Sequence, residues 1–156
     1  MTQTAQQLTV SAKDAICEAL NQSVAETAVT TMLAQNFHWN VTGMAFGPLH
    51  ALFQTIYEDH FTAQDDLAER VKALGGHAEG HLAGMLKRSK VAEHDGKGTA
   101  EQMVLTLSKA QETIAATLAG TAAIAEEHGD LLTQDLAIER GRAHEKFAWL
   151  LRAHLG

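Results

Sequence analysis

The chain has 156 residues, a formal net charge of -7, one cysteine and one proline. That length suits one domain with a real core, a single cysteine excludes an internal disulfide, and an acidic surface repels nucleic acid and anionic membranes while drawing in cations. No apolar run approaches the roughly 20 residues that span a bilayer, and the opening MTQTAQQLTV lacks the basic and apolar stretches of a signal peptide, so the expectation is a soluble, cytoplasmic protein. Abundant alanine and few aromatics favour helix over sheet.

Residues 1–10 are polar and read as a short tail before one domain over residues 11–156. Ser11 is placed to cap a first helix, with Asp14 in its first turn. Ile16, Leu20, Val24, Leu33 and Phe37 make one helical stripe that ends near residue 39. TGMAFGP breaks the pattern, and Pro48 suits the first position of a second helix. Its stripe runs from Leu49, Leu52, Phe53 and Ile56 to Leu74 and stops at Gly75-Gly76. Residues 77–98 form a long connection with one short amphipathic piece at Leu82, Met85 and Leu86. Thr99 and Gln102 have capping-box spacing and open a third long helix through Met103, Leu107, Ile114 and Leu118. HGD at 128–130 punctuates. A fourth helix follows to about Leu155, with Leu132, Leu136, Phe147, Leu150 and Leu151 for packing and Trp149 in the core. Four long helices with one long crossover, between the second and third, predict an all-α four-helix bundle with ferritin-like connectivity.

Four side chains stand out as metal ligands: His38, His50, Asp65 and Glu69. His38 closes the first helix and His50 opens the second, so the short break can fold both imidazoles toward one point. Asp65 and Glu69 are one turn apart on one face. Imidazole with carboxylate suits iron or manganese, and also zinc. His50 and Asp65, however, are roughly 22 Å apart along one helix. One chain cannot close these groups around one ion. Two chains can, if their second helices run antiparallel across a two-fold axis near Asp59 and His60. Plainer readings stand beside this one: a solvated carboxylate face for Asp65 and Glu69, a helix-end cap for His38, and a position near the core for His50.

The run NFHWNVTGMAFGPLHALFQTIYEDHFTAQDDLAERVKALGG, residues 36–76, resembles the signature of the Dps family (DNA-binding protein from starved cells, the mini-ferritins). It carries His38-Trp39-Asn40, a second histidine twelve residues on at His50, and Asp65-x-x-x-Glu69-Arg70 before LGG. The helix lengths and the closing HEKFAWLLRAHL agree, so the resemblance covers nearly the whole chain. It implies a ferroxidase that oxidises ferrous iron, preferably with hydrogen peroxide, between two subunits of a hollow dodecamer that stores ferric mineral. His38 and His50 would come from one subunit and Asp65 and Glu69 from its partner, with a further acceptor holding each imidazole's other nitrogen. The family usually has Asp or Glu one turn after the second histidine. Here Gln54 stands there, a weaker, uncharged donor that would orient a water or a ligand and weaken the second iron position. No E-x-x-H occurs in the chain, which argues against the site that other ferritins build inside one bundle.

The resemblance also makes Trp39 a redox neighbour of the iron, with packing at the bundle end as the plain reading. Asp130, Asp135 and Glu139 would line a three-fold pore, with favourable placement at a helix N-terminus as the alternative. Glu58, Asp59 and Glu126 are weaker candidates, either lining the cavity or standing as ordinary surface acids. His77, His81 and His94 are expected to be exposed in the crossover, and Lys87, Arg88 and Lys90 to form a solvated basic run. The family name raises a second function, DNA binding and compaction. The first basic residue is Lys13 and the net charge is -7, so direct DNA binding is expected to be weak or absent. A third reading, prompted by Gln54, is a structural oligomer with a weakened metal site.

Overall fold

Thr9, not Ser11, starts the first helix in the computed structural model, which describes residues 4–156. The Thr9 hydroxyl accepts from the Ala12 amide at 3.2 Å, and α1 spans Val10–Asn40. Ser11 lies inside the helix, its hydroxyl 3.4 Å from that of Thr9. The second helix, α2, covers Phe46–Ala73. Pro48 is therefore its third residue rather than its first. That costs nothing, because the first turn's amides have no partner within the helix. The short α3, Leu82–Arg88, sits where the amphipathic piece predicts it. The capping box of Thr99 and Gln102 is formed in both directions and opens α4, Ala100–Glu127. Gly129, at φ 73, turns the chain into α5, Leu131–Arg152. A single 3-10 turn over Ala153–Leu155 replaces the expected last α-helical turn.

α1 packs along α2 and α4 along α5, and α1 joins the two hairpins by packing on α4. The crossover of residues 74–99 lies over α1 through α3. The core is the predicted stripe: Ile16, Leu20, Phe37, Phe53, Ile56, Leu67, Leu107, Ile114 and Leu118 are all sealed from solvent. Each such side chain contributes about 1.5–3 kcal/mol.

Several expected burials fail. Trp149 is 58 % exposed and Leu132 also faces out, whereas Phe147 and Leu151, four apart, take the inward face of α5. A stripe of apolar residues wider than one helix face cannot all turn inward. The basic run is not wholly solvated either. Arg88 is half-buried and clasps the crossover to α1 through ion pairs with Glu79, at 2.9 Å, and Glu18. His94 is half-buried too, with its ring edge-on to Phe37 at 5.1 Å between centroids.

Candidate metal centre

α1 ends at Asn40 because the chain turns at Val41, and Gly43 adopts φ 104, a left-handed value that a side chain resists. The Phe46 amide bonds back to the Gly43 carbonyl at 3.1 Å. The start of α2 is thereby folded against the end of α1, and His38 meets His50. Their rings stack with centroids 3.7 Å apart and planes within 14°. His38 Nδ1 donates to the His50 backbone carbonyl at 2.7 Å, and His50 Nδ1 donates to the His38 carbonyl at 2.8 Å. A carbonyl only accepts, so both hydrogens sit on Nδ1. Both Nε2 atoms keep their lone pairs for a ligand. The expected acceptors behind the imidazoles are thus each other's main chain.

Two aromatic rings frame the pair: Phe46 stacks on His50 at 4.9 Å, and Tyr57 meets His38 edge-on at 5.3 Å. Neither was singled out from sequence, although Tyr57 lies two turns after His50 and so on the same face. Trp39 is 60 % exposed and lines a cavity of about 360 Å³ with Met32, Leu82 and Leu86, on the face toward α3.

Gln54 lies one turn after His50. Its amide nitrogen donates to the Glu58 carboxylate at 2.8 Å. Asp65 and Glu69 are exposed near the other end of α2, with Asp65 at the mouth of a cavity of about 500 Å³ beside Phe61, Glu79 and Met85. Because α2 is one unbroken helix, His50 and Asp65 remain roughly 22 Å apart along it, and Glu69 lies a turn farther. Among the described residues, no three His, Cys, Asp or Glu side chains converge where they could hold a metal ion.

Asp130 does not stand with Asp135 and Glu139. It is 1 % exposed, caps α5 by accepting from the Thr133 amide at 3.1 Å, and pairs with Arg70 at 2.9 Å. Both of its oxygens are thus engaged within the subunit, Oδ1 by Arg70 and the Thr133 amide and Oδ2 by the Thr133 hydroxyl. Asp135 and Glu139 are exposed one turn apart, and Glu58 and Glu126 are exposed as well.

His60 turns away from the surface expected at the two-fold axis. It enters the bundle interior, and Phe61 faces outward instead at 68 % exposure. Inside, five side chains form a chain of polar contacts. Arg140 holds Asp59 at 2.6 Å, and His60 Nδ1 donates to Asp59 at 3.0 Å. His60 Nε2 lies 2.9 Å from the Gln111 amide nitrogen and 3.0 Å from its oxygen. With the proton on Nδ1, only the nitrogen can serve, as donor. The Gln111 oxygen then accepts from His144 Nδ1 at 2.7 Å. Burial pushes both imidazoles below their ordinary value of 6.5, which fits this neutral assignment. Burial alone would raise the Asp59 carboxyl, but hydrogen bonds from His60 and Arg140 outweigh it and hold it well below its ordinary 3.8.

The bundle, its crossover and this site define a ferritin-like protein, and residues 17–156 match the family model described as a ferritin-like domain. General stress protein 20U of Bacillus subtilis is 36% identical over 141 residues, covering 90% of this chain and 97% of that one. DNA protection during starvation protein 2 of Bacillus anthracis is 36% identical over 140 residues, covering 90% and 96%. Among solved structures, the Dps protein from Vibrio cholerae O1, described as a member of the ferritin-like diiron-carboxylate superfamily, superposes with a TM-score of 0.93 at 29% identity, over 100% of this chain and 98% of that one. The Dps protein from Bacillus brevis gives 0.91 at 31% identity, over 96% and 100%. The chain belongs to the Dps family.

Proposed function

We propose that this chain is the subunit of a cytoplasmic ferroxidase and iron store. Ferrous iron is the substrate. It binds His38 and His50 of one protomer and Asp65 and Glu69 of a two-fold partner, and the ferric product accumulates as mineral inside a dodecamer. The observation that carries this reading is the reciprocal lock of the two imidazoles. It leaves both Nε2 lone pairs free, and among the described residues no carboxylate joins the two imidazoles where the three could hold a metal ion. Two ferrous ions supply the two electrons that reduce one hydrogen peroxide, with two protons, to two waters. Carboxylates from the partner stabilise the ferric charge, and neutral imidazoles hold ferrous iron without adding charge.

Asp135 and Glu139 are the residues that fit an acidic entry pore, since three copies around an axis would concentrate carboxylates and attract cations. Trp39 and Tyr57 are the oxidisable rings nearest the imidazoles, with Tyr57 the one in contact. Direct DNA binding is not part of the reading, because a net charge of -7 supplies few phosphate contacts.

The test is oxidation of added ferrous iron by oxygen and by peroxide, followed optically. The unaltered protein should outpace both buffer and a His38→Ala/Asp65→Ala variant of equal helix content. Equal rates in all three would end the ferroxidase reading. A chain that stays monomeric at every concentration would end the shared site.

A further inference from the structure

Gln54 is where a carboxylate would be expected if each of two ions had its own anionic ligand on α2. An amide can ligate a cation only through its oxygen, and at this position its nitrogen could equally turn inward and repel the ion. The contact with Glu58 removes that ambiguity. A carboxylate can only accept, so the amide atom 2.8 Å from Glu58 Oε1 is the nitrogen. The oxygen, on the other branch of the planar amide, points away from Glu58. His50 lies one turn N-terminal to Gln54, the direction in which side chains on a helix generally lean. His50, Gln54 and Glu58 follow each other at one-turn intervals on one face of α2.

We propose that Glu58 is a positioning residue that turns the Gln54 amide oxygen toward the cation beside His50, making Gln54 a ligand of the second ion. The inference rests on the two-ion reading of the site given above. Glu58 also sets the strength of that ligand. A full negative charge on the donor side of the amide polarises it, and the oxygen becomes a better electron donor. An aspartate at position 54 would need no such help, since its two oxygens are equivalent.

The experiment is anaerobic titration of the assembled protein with Zn²⁺ by calorimetry, and with Co²⁺ by its visible absorption, which reports coordination without turnover. The unaltered protein should bind two equivalents per protomer. Glu58→Ala should keep the first and weaken the second by about 10- to 100-fold, the usual loss when the partner of a ligand is removed. Introduced together with Gln54→Asp, the same Glu58→Ala should leave the second equivalent nearly unchanged. Equal losses with and without Gln54→Asp would overturn the proposal, because Glu58 would then act directly on the ion. An undisturbed second equivalent in Glu58→Ala alone would overturn it too. His38→Ala/Asp65→Ala should abolish both equivalents. If it did not, the shared site itself would fall, and the role of Glu58 with it.

Discussion

His38 and His50 hold each other in place: each Nδ1 donates to the other's backbone carbonyl, across 2.7 and 2.8 Å. The pair is therefore a clasp between the end of α1 and the start of α2, and on the proposed reading a ligand set as well. His50→Phe keeps an aromatic ring beside Phe46 but removes one bond and one lone pair. The expected cost is about 1 kcal/mol in urea unfolding, with iron oxidation reduced to the buffer rate. Oxidation at the unaltered rate would show that His50 holds no iron.

The division of ligands between protomers predicts complementation. A His38→Ala subunit and an Asp65→Ala subunit are each inactive alone. In a mixed dimer one site loses both residues and the other keeps all four. Half of randomly formed dimers are mixed, so about a quarter of sites should be intact. Co-assembled protein should recover about that fraction of iron oxidation. No recovery in properly assembled mixtures would place the ligands within one chain.

Arg70 links the site to the stability of the bundle. It follows Glu69 directly and pairs with the buried Asp130, while its Nε donates to the Thr133 hydroxyl at 2.8 Å. Arg70→Leu leaves a buried carboxylate without its cation, and should cost about 3–5 kcal/mol. Urea unfolding measures it. A loss below about 1 kcal/mol would mean that Asp130 is hydrated, not sealed.

The buried chain from Arg140 to His144 should make stability fall in acid. The folded protein holds His60 and His144 neutral below their ordinary 6.5, whereas the unfolded chain protonates them. Stability is therefore fully present above that pH and declines as pH drops through it. A second decline follows below 3.8, as the unfolded chain protonates the carboxyl that the folded state keeps ionised at Asp59. Unfolding free energies between about pH 5 and 8 should show the first slope, and His144→Phe should flatten it. An unchanged slope would mean that His144 does not titrate on unfolding.

DNA binding offers a further check. At about 50 mM salt, where phosphate contacts are strongest, the assembled protein should not retard duplex DNA in a gel. Tight retention would reveal a basic surface formed only on assembly.

Much of this was legible in the residues. The helices follow from apolar spacing, and the crossover piece from Leu82, Met85 and Leu86 alone. The roughly 22 Å between His50 and Asp65 follows from an unbroken α2 alone. What stayed hidden were outcomes of competition between faces. Trp149 and Phe147 are both apolar, and nothing local says which turns inward. Asp130 looks like any acid at a helix start until Arg70 of another helix reaches it. The interior pairing of His60 with Gln111 and His144 joins residues on three helices, so no single stretch announces it. Glu58 passed as a surface acid, because its effect on Gln54 lies in which way an amide turns.

The rod-like α2 carries one further consequence. It keeps the imidazoles of each newly made chain out of reach of that chain's own Asp65 and Glu69. On the proposed reading, a lone subunit has no complete oxidation site. On that reading, activity should rise with the square of subunit concentration at high dilution, where paired chains are scarce. The unbroken helix would then work as an interlock, withholding oxidising power until a second subunit is in place.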